Sequence, residues 1–530
     1  MALRFFLLNF GFALLFVLVG FNLYQLQILH GEEHSARASA RAEALQQLSL
    51  RRGSIFFTDR NDTAVPIAVN RNESVVYAVP KEIEDAKEAA GFLAPLLGVS
   101  ADSLEKTFSE KKNLFKLLAE KISSELVAAL REAPEGIYTG TKQYRSYPRG
   151  SFASHLMGFV GLNADTNVPR GLYGAEKYFE DALAEGEDRH LSIDPFVQTE
   201  AEGALARLIG EYGATGGTVI VEDPKTGALL AVVSKPDFDP NEYRVAPIAR
   251  FLNPAFSYVY EPGSVMKAIT MASALDAGAV TPETTYMDKG SVTRDRRTIH
   301  NFDNRVYGTV TMTNVIERSI NTGSVFAAER LGRERYVDYL EKFGFGAVTG
   351  IGAPEEVAGS LKNLTKPDTK SIELATASFG QGTAVTPLQL VNAYATLANG
   401  GVRLTPSILK DAPSRRAGRA VSKEAAAAVL RMMESTVNVN KVAVIAGYRV
   451  AGKTGTAFIP DFENGGYSDE LIHTFVGTAP VSDPRFVVLV KLDRPKVGEL
   501  AGITVVPAFR SLAEFLLTYY RVPPDNLSRE

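Results

Sequence analysis

The chain has no cysteine in 530 residues, which excludes disulfides, thiolate metal sites and cysteine nucleophiles together. It also has little net charge. The 57 Lys and Arg set against 61 Asp and Glu leave −4, too small an imbalance for a bulk electrostatic hold on nucleic acid. There is no phosphate-cradling P-loop and no zinc-finger spacing, and no internal repeat marks a solenoid. The histidines, His300 and His473 among them, read as ordinary structural residues, so no metal and no organic cofactor is expected. Apolar and charged fractions of 45% and 22% are those of a globular protein long enough for several domains.

Charge is missing altogether from Phe5 to Leu29, and Phe10 to Phe21 is unbroken apolar. That length suits one crossing of a bilayer. Arg4 precedes the run and Glu32 and Glu33 follow it, so the positive-inside tendency places the bulk of the chain outside the cytoplasm. A cleaved signal peptide is the competing reading, because Ala38-Ser-Ala40 resembles a cleavage site. Polar residues separate that site from the apolar run, which favours an uncleaved anchor.

The expected organisation is a cytoplasmic tip (1–4), a transmembrane anchor (5–29), a membrane-proximal domain (30–185), a catalytic domain (186–520) and a loose tail (521–530). Ser35–Leu50 reads as a helix, and about 81–135 as a helical subdomain with Phe92, Leu93, Leu96 and Leu97 at core spacing. From Ser192 onward strands and helices alternate, predicting a mixed α/β domain that closes on a helix over Pro507–Tyr519.

Three short strings carry the chemistry: Ser264-Val-Met-Lys267, Ser319-Ile-Asn321, and Lys453-Thr-Gly455 followed by Thr456. Two of these patterns recur. S-x-x-K appears at Ser103 and Ser109 in a Lys/Glu-rich stretch that reads as a solvated helix face. K-T-G appears at Lys225–Gly227 after Asp223-Pro224, between apolar runs, where it reads as a hairpin turn. Ser264 instead follows Glu261-Pro-Gly263 and opens an apolar helix ending near Gly278. Residues i and i+3 share a helix face, so Lys267 can approach the Ser264 hydroxyl. A neutral lysine could take the serine proton, and burial beside positive charge favours that form. Taken alone, Ser264 also reads as a plain cap with Lys267 in solvent. The third string leads a strand, with Thr454 and Thr456 on one face, Lys453 and Gly455 on the other. There the hydroxyls could grip a carboxylate, and Gly455 could let a substrate backbone come close.

An S-x-x-K, a second Ser-containing triplet and K-T-G, in that order, form the known signature of penicillin-binding proteins and class A β-lactamases. Supporting strings are Arg52-Gly-Ser-Ile55, Asp59-Arg-Asn61, Tyr147-Pro-Arg-Gly150, His155-Leu-Met-Gly158, Gly174-Ala-Glu176, Gly380-Gln-Gly382 and Ala398-Asn-Gly-Gly401. On these the chain resembles class B penicillin-binding proteins, which are monofunctional peptidoglycan D,D-transpeptidases. It departs from them at Asp62, where the family usually has glycine, and at Ile320, in the middle of the second motif.

The resemblance implies a transpeptidase/serine β-lactamase-like α/β (α+β) fold, a mixed antiparallel sheet with helices, on an elongated pedestal of the dimerisation type. It implies Ser264 as nucleophile, Lys267 as base, Ser319 as proton relay, and Asn321 holding the peptide amide. Thr454 and Thr456 would bind the terminal carboxylate with Lys453, alongside Gly455, and the Ser264 and Thr456 amides would hold the oxyanion. The implied substrates are stem peptides, with a D-Ala-D-Ala donor and an amine acceptor, and the implied inhibitors are β-lactams. The implied partners are a SEDS-type membrane glycosyltransferase and other divisome proteins. Asn321, Gly344-Phe-Gly346 and Thr349-Gly350 favour a division role over elongation. A D,D-carboxypeptidase or β-lactamase-like hydrolase and a non-catalytic scaffold are the alternatives.

Overall fold

The computed structural model describes residues 2–29, 52–112, 115–163, 165, 168–461 and 463–526. The helix expected over Ser35–Leu50 and the Ala38–Ala40 site lie outside them. The chain divides into two units, Met1–Arg52 with Asn70–Ser146, and Gly53–Val69 with Tyr147–Glu530.

In the first unit, α1 (Ala2–Tyr24) runs into a π-helical turn, Gln25–Leu29. Leu3–Leu29 are long and apolar enough to cross a membrane, and none of the described residues covers them. Further on, α2 (Ala86–Leu97) starts at Asp85, whose carboxylate accepts the Lys87 and Glu88 amides, and stops at Gly98 with φ +66°. Both ends thus satisfy backbone groups that a helix leaves unpaired. Leu93 of α2 shares a small core with Leu104 and Phe108 of α3 (Ala101–Ser109), and with Val76 and Ile137. The stretch expected to be a helical subdomain also holds a strand, Lys116–Ala119, paired antiparallel with Val76–Ala78. That strand's partner lies some 40 residues upstream, a relation no local periodicity reports.

The second unit is built on a five-stranded antiparallel sheet. The elements that frame this sheet begin, in chain order, with α4 (Pro195–Tyr212), β1 (Gly216–Glu222) and β2 (Leu229–Lys235). The helix α5 (Met266–Asp276) follows, then β3 (Thr285–Asp288), β4 (Ser291–Arg294), β5 (Arg297–His300) and β6 (Gly308–Thr311). Next come α6 (Met312–Glu317), α7 (Asn321–Leu331), α8 (Pro387–Ala398) and α9 (Lys423–Asn440). The unit closes with β7 (Ala451–Pro460), β8 (Tyr467–Ala479), β9 (Phe486–Asp493) and α10 (Ala501–Tyr519).

The strand order is β7-β8-β9-β1-β2, which leaves β7 at an edge. Val219, Val221, Val488 and Val490 face α4 and α10 in one core. Ile220, Val232, Val487 and Leu489 face α5, α8 and α9 in the other. Every residue of β1 is buried, so its centre, Val219–Val221, is continuously apolar and not alternating, with Thr218 and Glu222 buried on either side of it.

One boundary differs from expectation: α10 begins at Ala501 and carries Pro507 inside it. Proline favours a first helical turn because it lacks an N–H. Here the carbonyl it leaves free, that of Ile503, accepts the Tyr212 hydroxyl at 3.2 Å. A bond from a distant helix has replaced the missing one.

Candidate active site

Ser264 sits in a 3-10 turn, Gly263–Val265, that leads directly into α5. Every residue from Met266 to Ala274 is buried, and the polar ones are satisfied. Thr270 donates to the Ser378 carbonyl at 2.8 Å and Ser273 to that of Ile269 at 2.8 Å. The turn is fixed by close contact. Gly263 has φ +64°, and a Cβ on Gly380 would stand 2.2 Å from the Gly263 carbonyl oxygen, so the Gly380-Gln-Gly382 string serves as a seat for the serine turn.

The second motif lies between α6 and α7, with Ser319 in the left-handed region at φ +54°, a conformation that costs a non-glycine residue. It turns both its hydroxyl and its carbonyl toward the buried amine of Lys267. Lys267 Nζ lies 3.0 Å from Ser264 Oγ, 3.1 Å from Ser319 Oγ, 2.6 Å from the Ser319 carbonyl and 2.7 Å from Asn321 Oδ1. The Asn321 amide orientation is set by its Nδ2, which donates to the His300 carbonyl at 2.9 Å. Burial, and then the neighbouring charge of Lys453, push the Lys267 amine well below its ordinary value. A neutral amine has two N–H groups and one lone pair. The Ser319 carbonyl and Asn321 Oδ1 can only accept, so they take the two N–H groups and leave the lone pair for a hydroxyl.

Lys453 is 1% exposed and donates to Ser319 Oγ at 2.9 Å and to the Thr454 carbonyl at 3.1 Å. Burial lowers it to about 7. Ser319 Oγ therefore bridges the two amines. Thr454 and Thr456 are partly exposed on the opposite face of β7, where Thr456 Oγ1 accepts the Ala501 amide at 3.3 Å. At Gly455 the close backbone approach comes from the chain itself. A Cβ there would stand 2.9 Å from the Pro262 carbonyl oxygen and 3.2 Å from Val265 Cγ1, so the room it provides is taken by the chain's own serine turn.

A cavity of about 660 Å³ adjoins these groups, lined by Ser264, Ser319, Lys453, Thr454 and Thr456. The reading of motifs missed the rest of its wall, which includes Asn301, Phe302, Asp303, Arg305 and Tyr307 from the loop between β5 and β6, with Arg318 and the start of α10. Their only sequence signal is position, after a short hairpin and just before the second motif. None of the residues of the repeated strings lines the cavity. Ser103 and Lys106 are exposed on α3, and Lys225 is exposed in the β1–β2 turn, paired with Asp483 at 2.5 Å. Among the described residues no cluster of His, Asp or Glu is placed to hold a metal ion.

The model of the penicillin-binding protein transpeptidase domain matches residues 217–514, and that of the penicillin-binding protein dimerisation domain matches 48–189. Stage V sporulation protein D of Bacillus subtilis is 32% identical, over 94% of this chain and 83% of its own. Probable peptidoglycan D,D-transpeptidase PbpC of Pseudomonas aeruginosa is 29% identical over 99% and 96%. Peptidoglycan D,D-transpeptidase FtsI of Escherichia coli is 29% identical over 95% and 89%. The fold matches the crystal structure of a peptidoglycan synthetase from Bifidobacterium adolescentis, with TM-score 0.70 and 24% identity over 91% of this chain and 98% of that one.

Proposed function

The chain belongs to the penicillin-binding protein transpeptidase family and is a peptidoglycan D,D-transpeptidase, and on that premise we propose that it works through an acyl-enzyme on Ser264. The observation that carries this reading is the neutral-leaning Lys267 amine, 3.0 Å from Ser264 Oγ with both its N–H groups engaged elsewhere. Lys267 takes the hydroxyl proton as Ser264 attacks the carbonyl between the two D-alanines of a stem peptide. Ser319, bridging Lys267 and Lys453, returns a proton to the amine of the departing terminal D-Ala. The amine of a second stem peptide then attacks the ester, releases Ser264 and leaves a cross-link. The Ser264 and Thr456 amides hold the oxyanion, and losing one such donor costs about 100- to 1,000-fold. Thr454 and Thr456 face the donor's carboxylate, assisted by Lys453, and the outer edge of β7 gives the peptide a strand to pair with. Asn321 holds Lys267 in place as well as meeting the donor amide.

The Leu3–Leu29 segment anchors the chain once in the plasma membrane, with the catalytic unit on the outer side. Strand polymerisation is left to a separate membrane glycosyltransferase of the SEDS type, and Asn321 with the Gly344-Phe-Gly346 turn favours work at the division septum. A fluorescent penicillin should label the wild-type protein covalently and leave Ser264→Ala unlabelled; labelling of that variant would discard Ser264 as nucleophile. Incubation with a pentapeptide stem and an amine acceptor should yield a cross-linked dimer, whereas hydrolysis alone would make the protein a carboxypeptidase. A fluorescent fusion should gather at septa, and uniform side-wall signal would reject the division role.

A further inference from the structure

Asp288, at the end of β3, is 1% exposed and its carboxylate faces hydrogen-bond donors alone. Oδ1 accepts the Thr322 hydroxyl at 2.6 Å and the Gly290 amide at 3.0 Å. Oδ2 accepts Asn301 Nδ2 at 3.0 Å and the Tyr307 amide at 2.8 Å. Burial pushes this carboxyl up, but those four donors outweigh it and hold it below its ordinary value. The donors come from two places that matter to the reaction. Thr322 follows Asn321, the residue that holds Lys267. Asn301 and Tyr307 begin and end the stretch that supplies Phe302, Asp303 and Arg305 to the cavity wall. Asn301 also meets Thr322 directly, accepting its amide at 3.3 Å.

We propose that Asp288 is a positioning residue that locks the 301–307 wall and the Ser319–Asn321 motif into one register, so that the wall and the Lys267 amine address the same bound peptide. The inference rests on the acyl-enzyme reading and adds to it a residue that never touches substrate. A carboxylate suits this place because two backbone amides, those of Gly290 and Tyr307, approach opposite oxygens. An asparagine would confront one of them with its own NH2 in either orientation, leaving a buried donor unpaired. The serine, the lysines and the cavity residues all remain in that variant, and only their mutual placement changes.

The test is labelling of Ser264 by a fluorescent penicillin across a concentration series, which separates the saturable binding constant from the limiting acylation rate. Asp288→Asn should lower the limiting rate about ten-fold or more, since small misplacements of reacting groups are costly, and should speed amide exchange in 301–307. Asp276→Asn is the comparator. That carboxylate closes α5 by accepting the Tyr339 hydroxyl and the Ser422 amide, both at 2.7 Å, and its loss should lower the melting temperature while leaving the limiting rate within about two-fold. Where Asp288→Asn does not fold, Thr322→Val removes the hydroxyl donor to Oδ1, together with that hydroxyl's bonds to Asn301 Oδ1 and the Tyr286 hydroxyl, and should show the same fall in rate. A limiting rate within about two-fold of wild type in the folded Asp288 or Thr322 variant overturns the proposal, as does an equal fall in Asp276→Asn. Absence of label on Ser264 in the wild-type protein would instead overturn the acyl-enzyme reading itself.

Discussion

K-T-G occurs twice in the second unit, in opposite surroundings. Lys225-Thr-Gly227 makes the β1–β2 turn, with its lysine in solvent beside Asp483 and its glycine at φ +78°. Lys453-Thr-Gly455 lies on an edge strand, with its lysine buried beside Ser319 and its glycine pressed against the serine turn. The S-x-x-K strings divide in the same way, exposed on α3 and buried at α5. Identical residues thus become an exposed ion pair in one place and, on the proposed reading, acid–base machinery in the other. A lysine amine becomes a base near neutral pH only where burial and a neighbouring cation disfavour its charge, so surroundings and not composition assign the chemistry.

The sharpest way to break this contrast is to remove the two S-x-x-K lysines in turn. Lys267→Ala should slow penicillin labelling of Ser264 by about 1,000-fold, while Lys106→Ala should leave the labelling time course unchanged. Comparable losses from both would erase the distinction. The glycines give a smaller, two-sided effect. Gly455→Ala places a methyl 2.9 Å from the Pro262 carbonyl and, by shifting the serine, should cut labelling about 100-fold. Gly227→Ala forces a left-handed alanine and sets its methyl 2.8 Å from the Thr405 carbonyl oxygen, away from the serine turn, and should cost about 1–3 kcal/mol of stability, seen as a lower urea midpoint, with unchanged labelling per folded molecule.

The same contrast separates what is legible in the sequence from what is not. Ser319 was singled out by its place in the three-motif signature that the family resemblance supplies, whereas Ser264, Lys267 and Lys453 could be read because helix and strand spacing, plus a glycine or proline nearby, report on local geometry. The alternation of strands and helices after Ser192 was legible for the same reason. The strand at Lys116–Ala119, the helical start at Ala501 and the Asp288 junction were not. Each depends on a partner far along the chain: Val76–Ala78 for the strand, Tyr212 for the proline-bearing helix, Thr322 and Asn301 for the carboxylate. The role of Gly455 was half legible: a close backbone approach was foreseeable, but not that Pro262 would make it.

The two K-T-G lysines should also separate by pH. If the charge of Lys453 serves the carboxylate, labelling should fall by up to about 50-fold between pH 7 and 9 as that lysine loses its proton through about 7. Lys225→Ala should keep this alkaline limb, whereas in Lys453→Ala the residual labelling should lack it. A limb unchanged in Lys453→Ala would assign the titration to another group.

Stability gives the smallest and most physical separation. Folding lowers Lys453 from the ordinary 10.5 to about 7, so the folded state disfavours the ammonium form. The resulting penalty is full below about pH 7 and fades as pH rises toward 10.5, where the unfolded chain sheds the same proton. Lys453→Met removes the buried charge and should raise stability by about 1 kcal/mol or more at pH 6, an advantage that shrinks toward pH 10. Lys225→Met deletes only an exposed ion pair, and its effect should stay within about 1 kcal/mol at both pH values. Urea midpoints of the two variants at pH 6 and 10 measure this directly. A Lys453→Met advantage that does not change with pH would mean that the gain comes from packing, and that the buried lysine pays no charging cost at neutral pH.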